Sequence, residues 1–242
     1  MTPDRLQVFP DAEALSAAAC DAFCKLASEA IEQRGRFTVS LSGGSTPRRL
    51  YQLLAQKSLP WHQIHWFWGD ERNVPHSHND SNCRMVHEAL LDSIGAAPET
   101  VFPVPVNVAD PAAAAAAYEV TLRAQFVGDS FPTWDLALQG MGDDAHTASL
   151  FPETKAIDET ERWFVENWVP KLDTYRYTLT APALRSARNI WFFIAGAGKR
   201  AALDQVWNGP FQPAVAPSQL IPPQHEGLQW FVTRDALPAG EA

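Results

Sequence analysis

The 242-residue chain reads as an α/β sandwich with parallel strands. Three observations carry that reading. Short apolar runs alternate with longer segments whose apolar residues recur at helical spacing, the pattern of successive βαβ units. The runs "QIHWFWGD", "TWDLALQGM" and "NIWFFIA" read as buried strands, the last almost wholly apolar, as strands covered on both faces are. No linker-like break in composition interrupts the pattern, and nothing repeats beyond the alanine run 112–117, so one domain over 1–242 is expected.

In order, residues 5–9 predict a first strand. Residues 11–34 predict a helix, with Leu15, Ala19, Ala22, Phe23, Leu26 and Ala30 on one face and Gly35 just past the end. "RFTVSLS" alternates Phe37, Val39 and Leu41 with Thr38 and Ser40, a strand signal, and a helix near 47–56 follows. After the strand in "QIHWFWGD", residues 70–80 read as a polar loop, and a helix spans 81–93 with Asp80 or Ser81 as N-cap. "VFPVPVNV" is extended and proline-limited. A helix is expected from the alanine run to about Phe126. Segments 162–168, 175–180 and 189–195 read as strands, 198–207 as a helix, and 209–223 as a proline-rich loop with one helical turn at 217–221. "LQWFVT" closes as a strand.

Composition bounds the function. Apolar residues make up 46% and charged residues 19%, and nine tryptophans and thirteen phenylalanines supply a large core. The formal charge of −9 makes the chain a poor partner for nucleic acid or an anionic membrane. An anionic ligand would therefore need local geometry against the global field. Cys20, Cys24 and Cys83 do not make a disulfide framework; Cys20 and Cys24 read as core residues of the first helix. "MTPDRLQVFP" holds no signal-peptide run, and no stretch has the length of a membrane span, so a cytoplasmic protein is expected.

In parallel sheets, ligands gather at the carboxyl ends of strands. Four loops there carry unusual residues. Ser42-Gly43-Gly44-Ser45-Thr46-Pro47 joins a strand to a helix. With Thr46 as N-cap and Pro47 in the first turn, free N–H groups and the positive helix end suit a phosphate. The stretch matches neither the Walker nor the GxGxxG spacing. On its own it fits a phosphate cradle or an ordinary glycine-rich turn. "WGDERNVP" sets Asp70, Glu71 and Arg72 at a strand end, where Arg72 can grip an anion or pair within a solvated loop. "QGMGDDAHTASLFP" sets Asp144 two residues before His146. Histidine is the natural general base near neutrality and a carboxylate can fix its tautomer; a polar turn with an incidental histidine is the alternative. "AGAGKRAAL" puts Lys199 at a helix start, against the dipole unless an anion sits there. His76 and His78 form an H-x-H pair without a supporting ligand cluster and read as a polar loop.

Taken together, "LSGGSTP", "WGDERNVP…DSNCRM", "GMGDDAHTASLFP" and "RYTLTAPALRSARNIWFFIAGAGKRAAL" resemble the 6-phosphogluconolactonase family across nearly the whole chain. The resemblance implies a Rossmann-like three-layer sandwich with a mostly parallel central sheet, related to the glucosamine-6-phosphate deaminase fold. It implies hydrolysis of 6-phospho-D-glucono-1,5-lactone in the oxidative pentose phosphate pathway, without cofactor or metal, by a monomer or small homo-oligomer. It assigns His146 as general base and Asp144 as its neighbour. Ser42, Gly43, Gly44, Ser45, Thr46, Arg72 and Lys199 would bind the phosphate. Two positions depart from the family pattern: Ala145 stands where glycine is usual, and Arg185 where asparagine is frequent. Ala145 would cost roughly 1 kcal/mol if the position needs positive φ. Arg185 either adds a phosphate contact or faces solvent. Two other readings compete. Deaminase–isomerase chemistry would carry a glutamate where Phe151 stands, and a sugar-phosphate sensor would need an attached DNA-binding segment.

Overall fold

The computed structural model describes residues 5–240, so the first four residues of the segment read as leaderless lie outside it. β1 (Leu6–Phe9) leads into α1 (Ala12–Arg34). Asp11 caps α1 by accepting the Ala14 N–H at 2.8 Å, and Gly35 ends it in the left-handed region. β2 (Phe37–Leu41) and α2 (Ser45–Leu54) follow, then β3 (Ile64–Trp68) and β4 (Asp70–Arg72). α3 (Asn82–Val86) starts at Ser81, whose hydroxyl accepts the Arg84 N–H. A π-helical stretch, His87–Leu91, carries it into α4 (Asp92–Ile94). β5 (Val101–Phe102), α5 (Pro111–Gln125), β6 (Leu136–Gly140), β7 (Phe164–Val169) and β8 (Thr174–Leu179) come next. The chain closes with α6 (Ala181–Arg185), β9 (Ile190–Ile194), α7 (Arg200–Asn208) and β10 (Leu228–Thr233).

Seven strands form the central sheet in the order β1-β10-β9-β6-β2-β3-β5, and every pairing in it is parallel. From β2 the chain builds outward through β3 and β5. It then returns to β6, on the other side of β2, and builds outward through β9 and β10. The reversal between β2 and β6 is a topological switch point, where the loops at the carboxyl ends diverge and leave a crevice. β9, β6, β2 and β3 are consecutive in the sheet, so the four loops singled out above gather on one rim.

Both faces of the sheet are covered. β2 is buried at all five positions, so its alternation of apolar and hydroxyl residues does not mark a wet face. Thr38 is satisfied inside: its N–H and hydroxyl reach Asp135 Oδ2 at 2.8 and 3.0 Å. Tyr118 of α5 accepts the Trp68 N–H at 2.9 Å and so ties that helix to the end of β3. Aromatic pairs fill the layers, among them Phe67 on Phe102, with centroids 4.7 Å apart, and Phe192 on Trp230 at 4.3 Å. Cys20 is buried, and burial pushes its thiol up to about 12, as expected of a core residue.

The structure departs from the sequence reading in three places. A second, antiparallel sheet exists, in the order β4-β8-β7. Its strand β4 takes the first residues of the expected 70–80 loop, pairing Asp70 with Thr178, Glu71 with Tyr177 and Arg72 with Arg176. Three residues have no periodicity of their own; the partner strand makes them a strand. α2 begins at Ser45 with Gly44 as N-cap, so Thr46 is inside the helix and caps nothing. α6, which the sequence reading did not assign, is only five residues long, too short to show a helical period.

Candidate active site

Residues 42–47, 70, 72, 140–144, 146, 148, 149, 151, 171, 172, 176, 193, 195 and 199 contribute to one open cleft of about 440 Å³ on the carboxyl rim. All nine residues named from the sequence, Ser42, Gly43, Gly44, Ser45, Thr46, Arg72, Asp144, His146 and Lys199, line it. The His146 ring and the 42–46 turn therefore share a cavity.

The turn after β2 is built for close approach. Tyr51 of α2, fully buried, donates its hydroxyl to the Ser42 carbonyl at 2.8 Å and accepts the Ser42 N–H at 3.1 Å. Gly43 passes so near Asn82 that any Cβ would overlap its side-chain oxygen. Asn82 cannot easily yield, because its Nδ2 donates to the Asp70 carbonyl at 3.0 Å. Gly44 brings no capping side chain, and the first intrahelical bond is Arg48 N–H to Gly44 O at 3.1 Å. The N–H groups of Ser45 and Thr46 are thus left for a ligand on the cleft wall.

Asp70 and Glu71 do not form the solvated, self-paired loop that the sequence also allowed. Both are buried. Glu71 accepts the N–H groups of Asn82 and Cys83 at 2.8 and 2.7 Å and caps α3 alongside Ser81. Burial pushes its pKa up, against the pull of these bonds. Asp70 Oδ2 accepts the Ser149 hydroxyl at 2.9 Å, which ties β4 to the histidine loop. Arg72 is left with the Asp80 carbonyl, 2.6 Å from Nη1, and no carboxylate partner among the described residues. Directly across the ladder stands Arg176, half-buried and likewise without a salt bridge among the described residues. Burial first, and the Arg72 charge second, lower its pKa. Two neighbouring guanidinium groups that form no salt bridge among the described residues, with Lys199 lining the same cleft, can hold an anion against the nearby Asp70.

The loop after β6 carries the Asp144–His146 pair. His146 Nδ1 lies 2.5 Å from Asp144 Oδ1, and Lys171 Nζ lies 2.9 Å from Asp144 Oδ2. The hydrogen bond from His146, followed by that from Lys171, holds the Asp144 carboxyl well below the usual range, against its partial burial. In the neutral tautomer that gives Nδ1–H to the carboxylate, the lone pair is on Nε2. It has no partner among the described residues. Phe151 stacks on the ring, centroids 4.1 Å apart. Gly142 lies so close under the ring that a Cβ would overlap Nδ1. Ala145 has φ 59° and is fully buried, so the position does require the left-handed region, and here alanine adopts it. Ser218 secures it by donating N–H and hydroxyl to the Ala145 carbonyl at 2.9 and 2.8 Å.

Other residues fall elsewhere. Arg185 is exposed at the end of α6 and outside the cleft lining, so it adds no contact there. His76 Nε2 donates to the Val104 carbonyl at 2.9 Å, and His78 faces Asp80. Sequence reasoning missed Lys171 and Arg176. Arg176 opens the stretch "RYTLTAP", quoted for its resemblance but given no role. Lys171 sits in a hairpin turn with no motif around it.

The comparisons with known proteins agree with this architecture. A family model described as glucosamine-6-phosphate isomerases/6-phosphogluconolactonase matches residues 10–230. A 6-phosphogluconolactonase of Nostoc sp. is 43% identical over 238 residues, 98% of this chain and 97% of that protein. Its counterpart in Synechocystis sp. is 42% identical over 86% of this chain and 87% of that one. The structure of 6-phosphogluconolactonase from Trypanosoma cruzi superposes with a TM-score of 0.81 at 26% identity, covering 95% of this chain and 93% of that one. A monomeric glucosamine-6-phosphate deaminase, 18% identical, shares the fold with a TM-score of 0.76. With the match running nearly from end to end, this chain belongs to the glucosamine-6-phosphate isomerase/6-phosphogluconolactonase family.

Proposed function

We propose that the protein hydrolyses 6-phospho-D-glucono-1,5-lactone to 6-phospho-D-gluconate, the lactonase step of the oxidative pentose phosphate pathway, with His146 as general base. The observation that carries this reading is the shared cleft. The uncovered start of α2, Arg72 and Lys199 lie in the same cavity as a histidine whose free Nε2 is set by Asp144.

The lactone is an activated ester. Nε2 takes a proton from the water that attacks C1, Asp144 stabilises the imidazolium, and the proton then goes to the departing ring oxygen. General-base help of this kind contributes roughly 10²–10⁴-fold. The phosphate, held at the far end by the 42–46 turn, Arg72 and Lys199, fixes the ring so that C1 meets the water. Nothing in this sequence of steps calls for a metal or cofactor.

The deaminase–isomerase reading of the same family needs a second carboxylate near the base. Phe151 supplies an aromatic face at that place instead, which supports hydrolysis. A continuous assay decides between them. Lactone is generated in situ by glucose 6-phosphate oxidation, and acid production is followed above the spontaneous rate. Enzyme-dependent hydrolysis without ammonia release from glucosamine 6-phosphate is expected. Ammonia release with no lactonase rate would overturn the proposal.

A further inference from the structure

Lys171 stands in the turn of the β7–β8 hairpin, where residues Pro170–Leu172 form a single 3₁₀ turn and Asp173 adopts φ 49°. The hairpin belongs to the second sheet, so Lys171 reaches the histidine loop from a different structural unit. Its Nζ holds Asp144 Oδ2 at 2.9 Å while Oδ1 is engaged by His146. Asp144 is largely covered and Lys171 is 62% exposed, so the ammonium closes the outer side of the pair.

A carboxylate against an imidazole does two opposed things. It orients the ring, which a base needs, and it favours the protonated ring, which a base cannot use. A second cation on the far oxygen keeps the first effect and weakens the second, because the carboxylate's field is then shared. We propose that Lys171 is a positioning residue: by occupying the outer oxygen of Asp144 it fixes the carboxylate toward His146 and lets the imidazole rest uncharged. The inference rests on His146 being the base. Other charged groups line the same cleft and face the pair: Asp143 beside it, Asp70 and Arg72 on β4, Arg176 on β8, and Lys199 beyond β9. Lys171 differs from them in its direct bond to Asp144.

The test is the pH profile of kcat/KM for Lys171→Met and Lys171→Arg, on fresh lactone with spontaneous hydrolysis subtracted. For Lys171→Met, kcat near neutrality should fall about tenfold, with KM within about twofold and the acid limb moved to higher pH. Lys171→Arg should restore both. A rise in KM with kcat unchanged, or a lowered kcat whose acid limb stays in place, overturns the proposal. His146→Ala separates the two levels. If that variant keeps full kcat, the reading of the base fails; if it is inactive while Lys171→Met keeps the wild-type profile, only the role of Lys171 fails.

Discussion

The ring of Phe151 lies over the ring of His146, centroids 4.1 Å apart and planes 24° from parallel. Phe151 is itself nearly buried, so the imidazole is held between an aromatic face, the backbone of Gly142 and the Asp144 carboxylate. If His146 is the base, as proposed, a ring gripped on three sides keeps its lone pair aimed without reorganising during the reaction. Replacing Phe151 by alanine should destabilise the protein by about 3 kcal/mol. It should also lower kcat more than it raises KM. Denaturant titration and steady-state kinetics on one preparation check both. Full activity in a destabilised variant would show that stacking does not position the base.

Gly142 leaves no room for a methyl group beneath the ring. Gly142→Ala should therefore push His146 off its bond with Asp144 and lower kcat by at least about tenfold, while circular dichroism stays native. Wild-type kcat in that variant would mean that the ring has another productive position.

Asp144 links stability to pH. Its carboxyl is held low by His146 first and by Lys171 after it. A group depressed in the folded state stabilises above its unfolded value, about 3.9, and loses that contribution as pH falls toward the folded value. The stability gap between wild type and Asp144→Asn should be largest near neutrality and shrink as the pH falls below about 4. Urea midpoints at both ends of that range test it, and a constant gap would contradict it. At neutral pH Asp144→Asn should lower kcat by roughly 10²-fold, since the imidazole loses its orienting partner.

Arg72 and Lys199 are assigned to the remote phosphate, so their loss should act mainly on binding. Arg72→Met and Lys199→Met should each lower kcat/KM by roughly ten- to a hundredfold, the value of a charged hydrogen bond of about 1.5–3 kcal/mol. Most of the change should appear in KM, and inorganic phosphate should inhibit the variants less than the wild type. A loss confined to kcat, with KM and phosphate inhibition unchanged, would place these residues at the reacting end.

Much of this was legible in the sequence for a physical reason. Helices such as α1, with a full amphipathic stripe, an aspartate cap and a closing glycine, announce both ends. Strands such as β9 are apolar throughout because both faces are covered. The cleft was legible because its residues follow such strands directly. Features set by distant pairing were not. β4 exists only against β8, and Glu71 reads as a surface charge until α3 closes over it. Lys171 enters the site through a hairpin of the second sheet, which no local pattern indicates. Thr46 was misplaced as a cap because a glycine N-cap leaves only backbone geometry to mark the helix start.

The most direct measurement is kcat of His146→Ala on freshly generated 6-phosphogluconolactone, after subtraction of spontaneous hydrolysis. With an uncharged imidazole as base and the phosphate anchored elsewhere, kcat should fall by at least about 10²-fold while KM changes by less than about threefold. An unaltered kcat in the folded variant would contradict the account.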